Sequence, residues 1–198
     1  MGRVPTVGLT GGLGAGKSTA LAALERLGAA TLSTDAVVHE LYAAPEVRDA
    51  VVARWGAGVA PDGVVDRAAV AARAFAAPEE RAWLEGELWP RVGRRVAGWL
   101  QEVADRDPPP LAAVVETPLL FEAGMDGVYD ATVAVVADEE VRAERAAARG
   151  QVAADERAAR QLPQAEKARR ATFVVDNSGT KAHLEDQLSA ILATLVSS

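Results

Sequence analysis

Thr10-Gly11-Gly12-Leu13-Gly14-Ala15-Gly16-Lys17-Ser18-Thr19 decides how the rest of this chain is read. A short apolar run, Val4 to Leu9, precedes it. Ala20, Leu21, Leu24 and Leu27 follow at the spacing of one helix face, and Gly28 sits where a glycine would end that helix. Within the stretch, Gly11 to Ser18 fits Gly-x-x-x-x-Gly-Lys-Ser, in the strand–loop–helix setting that a phosphate-binding loop requires. Glycines reach the positive-φ conformations that turn consecutive N–H groups toward one anion. Lys17 would meet the β- and γ-phosphates as a point charge, Ser18 can ligate Mg²⁺, and the helix N-terminus adds its dipole. The expected nucleotide contacts are therefore Gly11, Gly12, Leu13, Gly14, Ala15, Gly16, Lys17, Ser18 and Thr19. Only Lys17, Lys167 and Lys181 among 21 basic residues are lysines, so a lysine retained in the loop is itself informative.

Outward from the loop, strands alternate with helices. Ala29 to Leu32 and Phe173 to Val175 read as further strands, and Leu111 to Val115 and Ala131 to Val136 as continuous apolar ones of the kind a sheet buries on both faces. Helices are expected over Asp35–Tyr42, Glu46–Trp55, Asp66–Phe75, Pro78–Leu88, from Pro90 to the triple proline at Pro108, from Asp138 to about Arg149, over Asp155–Gln161 and Gln164–Ala171, and over Lys181–Val196. The pattern predicts one α/β domain with a mainly parallel sheet flanked by helices, an all-helical insertion over about 46–107, and a small helical lid over about 142–165.

Composition narrows the chemistry. The 198 residues carry a net charge of −7, a poor match for nucleic acid or an anionic membrane. With no cysteine and two histidines, His39 and His183, disulfides, thiolate zinc sites and cysteine nucleophiles are excluded. No signal peptide or run of about 18 apolar residues is present, so a cytoplasmic protein is expected, as a monomer or weak homo-oligomer.

A phosphate loop alone does not separate kinase, switch and motor. No Asn-Lys-x-Asp guanine motif occurs, and the strand Leu111–Val115 ends in the single acid Glu116 rather than Asp-Glu. A small-molecule kinase fits best. The ordered motifs Thr10–Thr19, Ser33-Thr34-Asp35, Trp89-Pro90, Glu116-Thr117-Pro118-Leu119-Leu120-Phe121-Glu122, Arg157 with Gln161, Lys167 and Asp176-Asn177-Ser178-Gly179 together resemble the dephospho-coenzyme A kinase family, with its P-loop NTPase fold. Three positions depart from the family pattern: Ser33 stands for the first acid of Asp-x-Asp, Glu116 for Asp, and Trp89 for His.

The resemblance implies transfer of the γ-phosphoryl group of ATP, with Mg²⁺, to the ribose 3′-hydroxyl of dephospho-coenzyme A. It makes Asp35 the group that orients or deprotonates the hydroxyl. Lys17 and Arg145 join it as catalytic residues, and Glu116 is a water-mediated Mg²⁺ contact beside Ser18. Thr10, Asp35, Glu116, Pro118, Leu119, Arg157, Gln161 and Lys167 are the implied substrate contacts. Arg145 and Arg149 would close a lid over the ATP phosphates, while Asn177 and Gly179 would lie on the adenine side. Arg142, on the same helix face, reads instead as part of a solvated stripe with Glu139, Glu140 and Glu144. Trp55, Phe75, Trp83, Trp89 and Trp99 read mainly as core of the insertion. Two other readings remain: a related kinase acting on a nucleoside monophosphate or sugar acid, and a nucleotide-binding regulator whose catalysis has decayed.

Overall fold

The computed structural model describes residues 3–148 and 161–197. Arg149, Arg157 and the expected helix over 155–161, Gln161 apart, lie outside these residues, as does much of the expected lid. The chain divides into two compact units, Met1–Ser33 with Leu100–Ser198, and Thr34–Trp99.

The first unit is built on five strands, β1 (Thr6–Gly11), β2 (Ala30–Ser33), β3 (Ala113–Glu116), β4 (Ala131–Val136) and β5 (Phe173–Asp176), ordered β2-β3-β1-β4-β5. Every pairing is parallel, with Ser33 opposite Glu116, and Leu9 opposite both Glu116 and Val133. Central β1 is apolar because both its faces are covered. Val7, Leu9, Val114, Val133, Val135 and Val175 pack with Ala20 and Leu24 of α1 (Lys17–Arg26) and with Leu184, Leu188 and Leu192 of the C-terminal helix Lys181–Val196. Gly8 admits a closer approach than any side chain would. A Cβ there would stand 2.4 Å from Leu120 Cδ1 and 2.7 Å from Tyr129 Cδ2.

The second unit contains α2 (Thr34–Ala43), α3 (Pro45–Trp55), α4 (Arg67–Ala74) and most of α5 (Pro78–Ala104). Its core comprises Val47, Val51, Val59, Val70, Ala74, Leu84 and Leu88, with Leu41, Tyr42, Trp55 and Trp83 packed around it. Asp66 caps α4 by accepting from Ala68 N and Ala69 N. Trp55 and Trp83 meet edge to face at 5.0 Å, and Glu80 accepts from both Arg54 and Trp55 Nε1.

Three expectations change here. The unit begins at Thr34 rather than near residue 46, because Val38, Leu41 and Tyr42 of α2 pack on the core that α3 supplies. Pro90 does not start a new helix; it lies inside the single α5. A proline there has no N–H to give the Gly86 carbonyl one turn back, yet the helix runs on to Ala104, and Arg91 Nη1 donates to the neighbouring Glu87 carbonyl. Trp89 and Phe75 are not core: they are 53% and 38% exposed. Leu84 and Leu88 are the residues of α5 buried in this core, and Trp89, one residue on, falls off their stripe.

The first unit also contains α6 (Glu139–Ala147), α7 (Gln164–Arg170) and α8 (Lys181–Val196). The start of β1 is tied to the start of β4 by Asp130, which accepts from Thr6 N, Thr6 Oγ1 and Arg3. Burial pushes the Asp130 carboxyl up, but the Thr6 donors and the Arg3 guanidinium outweigh it and hold the group below its ordinary value. A depressed folded-state value means stability that is present above the unfolded carboxylate range and lost as pH falls through the folded value. In Asp130→Asn the acid limb of a pH–stability profile, followed by thermal melting, is accordingly expected to flatten below about pH 4.

Candidate active site

The glycine-rich loop leaves β1 at Gly11 and enters α1 at Lys17. Gly14 and Gly16 hold φ values of +74° and +90°, the left-handed region that glycine alone adopts freely. Space requires them as well. A Cβ on Gly14 would stand 2.5 Å from the carbonyl oxygen of Arg142, and one on Gly16 would stand 2.0 Å from Asn177 Nδ2. The loop closes on itself through Ala15 N donating to Gly12 O at 3.2 Å. No acid occupies the first turn of α1, so its positive end is left for an external anion. Ser18 is exposed there, Thr19 is half-buried, and Lys17 Nζ donates to Gly11 O at 3.1 Å and Gly12 O at 3.3 Å.

Side chains from distant elements hold this loop. Asn177, buried just beyond β5, donates from Nδ2 to Ala15 O at 2.8 Å. Its own carbonyl accepts from Arg145 Nη2 at 3.0 Å. Arg145 Nη1 lies beside Gly16, buried and without a hydrogen-bond partner among the described residues. An unmatched buried guanidinium N–H is costly, and next to a phosphate loop it suits an anionic oxygen. Arg142 is not part of a solvated stripe: its Nε donates to Leu13 O at 3.0 Å, and its guanidinium lies against Gly12. A helical spacing could not distinguish a face turned to solvent from one laid along the loop, because the loop's path is a tertiary matter.

On the other side of β1 stand Glu116 and the segment after it. Glu116 is only 6% exposed, and its Oε2 accepts from Ser33 Oγ at 2.5 Å. Two departures from the family pattern that look independent in sequence thus meet at adjacent strand ends. Pro118 and Leu119 are half-buried, and Pro118 O accepts from Thr10 Oγ1 at 3.3 Å.

Lys167, which the resemblance places at the substrate, sits in the structure within a buried polar node. It is 0% exposed, and its ammonium reaches three acceptors: Pro118 O at 2.6 Å, Glu122 Oε1 at 2.9 Å and Thr10 Oγ1 at 3.3 Å. Three protons meet three acceptors. Burial pushes this ammonium down from its ordinary value, and the hydrogen bond and charge of Glu122 offset part of that. Glu122 also accepts from Leu162 N at 2.7 Å, which fastens the foot of α7 to the same node. Gln164 adds a second fastening, with Oε1 accepting from Ala137 N and Nε2 donating to Ala137 O. Neither Glu122 nor Gln164 stands among the site residues inferred from sequence. Glu122 was legible only as the last letter of Pro-Leu-Leu-Phe-Glu.

Of the remaining expected residues, Gln161 is half-buried before α7, and Gly179 is exposed just ahead of Thr180, the N-cap of α8. Asp35 is exposed in the first turn of α2, in the helical unit. No group of three His, Asp or Glu side chains able to hold a metal occurs among the described residues, and none of their helices is long and apolar enough to cross a membrane.

A family model described as dephospho-CoA kinase matches residues 5–183. The chain belongs to the dephospho-CoA kinase family. It is 43% identical to a dephospho-CoA kinase of Chromobacterium violaceum, with 94% of this chain and 92% of that one covered. With the dephospho-CoA kinase of Deinococcus radiodurans it shares 41% identity over 96% and 91% of the two chains. A crystal structure from Thermus thermophilus superposes with a TM-score of 0.79 at 34% identity, covering 98% of each chain. At 21% identity the Campylobacter jejuni dephospho-CoA kinase shares the fold, with a TM-score of 0.70 over 97% of each chain.

The buried node gives a stability test. Lys167→Met leaves the Glu122 carboxylate buried without its cation, and chemical denaturation is expected to register a loss of about 3–5 kcal/mol. Adding Glu122→Leu removes the stranded charge and is expected to recover much of it. Additive losses in the double variant would contradict a coupled pair.

Proposed function

We propose that this chain transfers the γ-phosphoryl group of ATP to the ribose 3′-hydroxyl of dephospho-CoA, giving CoA and ADP. The observation that carries the reading is the phosphate loop itself. Its positive helix end and Lys17 stand beside a buried Arg145 N–H with no hydrogen-bond partner among the described residues, in a chain that matches the family nearly end to end.

In this reading the 3′-oxygen forms a bond to the γ-phosphorus as the bond to the ADP oxygen breaks, and the hydroxyl proton passes to Asp35. Charge builds on the phosphoryl oxygens, so most of the catalysis is positioning and neutralisation. Lys17, which now donates to Gly11 O and Gly12 O, exchanges those carbonyls for β- and γ-phosphate oxygens. Arg145 completes its open donor on the same phosphates. Ser18 and Glu116 are hard oxygen donors of the kind Mg²⁺ takes, and they would hold it together with the nucleotide rather than in a protein cage. Held there, Mg²⁺ would neutralise negative charge on the nucleotide's phosphates. Pro118 and Leu119 line the acceptor side, with Thr10 and Lys167 fixing the backbone there. Arg149, Arg157 and Gln161 are assigned to the closing lid, and Gly179 to the adenine side.

The test is direct. Purified protein with MgATP and dephospho-CoA is expected to form CoA, detected by mass, and to release ADP only when the acceptor is present. Lys17→Met is expected to lower turnover by about a hundredfold or more, and Asp35→Asn by about tenfold or more with an unchanged melting temperature. Turnover on nucleoside monophosphates or sugar acids in place of dephospho-CoA would assign a different acceptor. Nucleotide binding with no turnover on any acceptor would point to a decayed site. Full activity in Asp35→Asn would remove Asp35 from the reaction.

A further inference from the structure

We infer that Arg142 is a positioning residue of the nucleotide site, acting through one peptide unit of the phosphate loop rather than by touching phosphate. The inference rests on the reading of that loop as the nucleotide site. Arg142 Nε donates to Leu13 O at 3.0 Å. The guanidinium also lies along Gly12, since a Cβ there would stand 3.1 Å from Arg142 Nη2 and 3.4 Å from Cζ. The backbone of the same residue presses on Gly14, whose added Cβ would meet the Arg142 carbonyl oxygen at 2.5 Å. One residue of α6 therefore fits against three consecutive loop residues.

The consequence follows from peptide geometry. Leu13 C=O and Gly14 N–H belong to the same planar trans unit and point in opposite directions. Holding the carbonyl toward α6 turns the Gly14 N–H the other way. Among the described residues that N–H is donated to no protein group. Asn177 does the same two units along, fixing Ala15 O and thereby turning the Gly16 N–H away from itself. Arg142 and Asn177 thus hold two alternate peptide units of the loop, and two N–H groups are oriented before any anion arrives. An anion that met a loop free to flip these peptides would have to order it, and the ordering would be subtracted from affinity. Arg142 stands on the carbonyl side of the unit, so its effect passes through the peptide.

The donor atom makes this separable from a charge effect. Nε of arginine and Nε2 of glutamine sit the same number of bonds from Cα, so Arg142→Gln keeps a donor at that position and loses the charge. Arg142→Met matches the length and has neither donor nor charge. Calorimetric titration with ADP and, separately, with inorganic tripolyphosphate is expected to show Arg142→Met weakened about tenfold toward both, as for a lost hydrogen bond to a loop that must then be ordered. Arg142→Gln is expected to recover most of that affinity. In steady-state assays the KM for ATP should rise in Arg142→Met while the KM for dephospho-CoA holds, with melting temperatures of both variants close to wild type.

Equal losses in Arg142→Gln and Arg142→Met would mean that the charge acts directly on phosphate, and would overturn the inference. Unchanged affinity in Arg142→Met would overturn it too, leaving a packing contact. Failure of the wild-type protein to bind either ligand would instead remove the nucleotide reading on which the inference depends, and the inference with it.

Discussion

A cation with no access to water organises the interior of the first unit. The Lys167 ammonium is fully buried, and that is tolerable only because three acceptors surround it in fixed places. Each acceptor comes from a different part of the site: Thr10 from the end of β1, Pro118 from the segment after β3, and Glu122 from the turn beyond it. Satisfying one charge therefore sets the spacing between the phosphate loop's origin and the acceptor segment. The Leu162 N–H on Glu122 carries the same constraint to the foot of α7. Moving any of these pieces would strand a charge or a carbonyl, so the node behaves as a unit.

Around it, the chain resolves a conflict between its overall charge and its ligand. A net charge of −7 repels polyanions, yet the loop is furnished with Lys17, Arg142 and Arg145 and a helix end without a first-turn acid. Short-range hydrogen bonds and local charge dominate over the distant field, because interactions beyond about a Debye length are screened. The cations are also divided by task. Lys17 rests on two loop carbonyls, Arg145 has a buried donor with no partner among the described residues, and Arg142 gives its Nε to the Leu13 carbonyl.

Ser33 and Glu116 show how substitutions that look damaging one at a time can be related. Opposed in register at the carboxyl ends of β2 and β3, they form a direct hydrogen bond in which the hydroxyl serves the carboxylate. A second acid at position 33 would instead face Glu116 across the same distance and repel it. The longer glutamate and the neutral serine are therefore compatible as a pair.

Much was legible in the chain itself. The loop motif, the five apolar runs, and the Asp66 cap follow from local rules, because strand burial, helix period and glycine conformations are written in neighbouring residues. The resemblance motifs supplied the family. What sequence could not yield were relations across long separations: the hydroxyl of Ser33 on Glu116, Lys167 with Glu122 and Thr10, and Asn177 and Arg142 on the loop. For Lys167 the position in the motif is visible in sequence, and its burial is not. Arg142 looked solvated because a charged helix face reads the same whether water or a loop lies against it. Local chemistry, then, determined the elements and the kind of anion the loop serves. Which side chains hold that loop, and which are left to meet a ligand, was decided only when parallel strands brought residues more than a hundred positions apart within hydrogen-bonding distance.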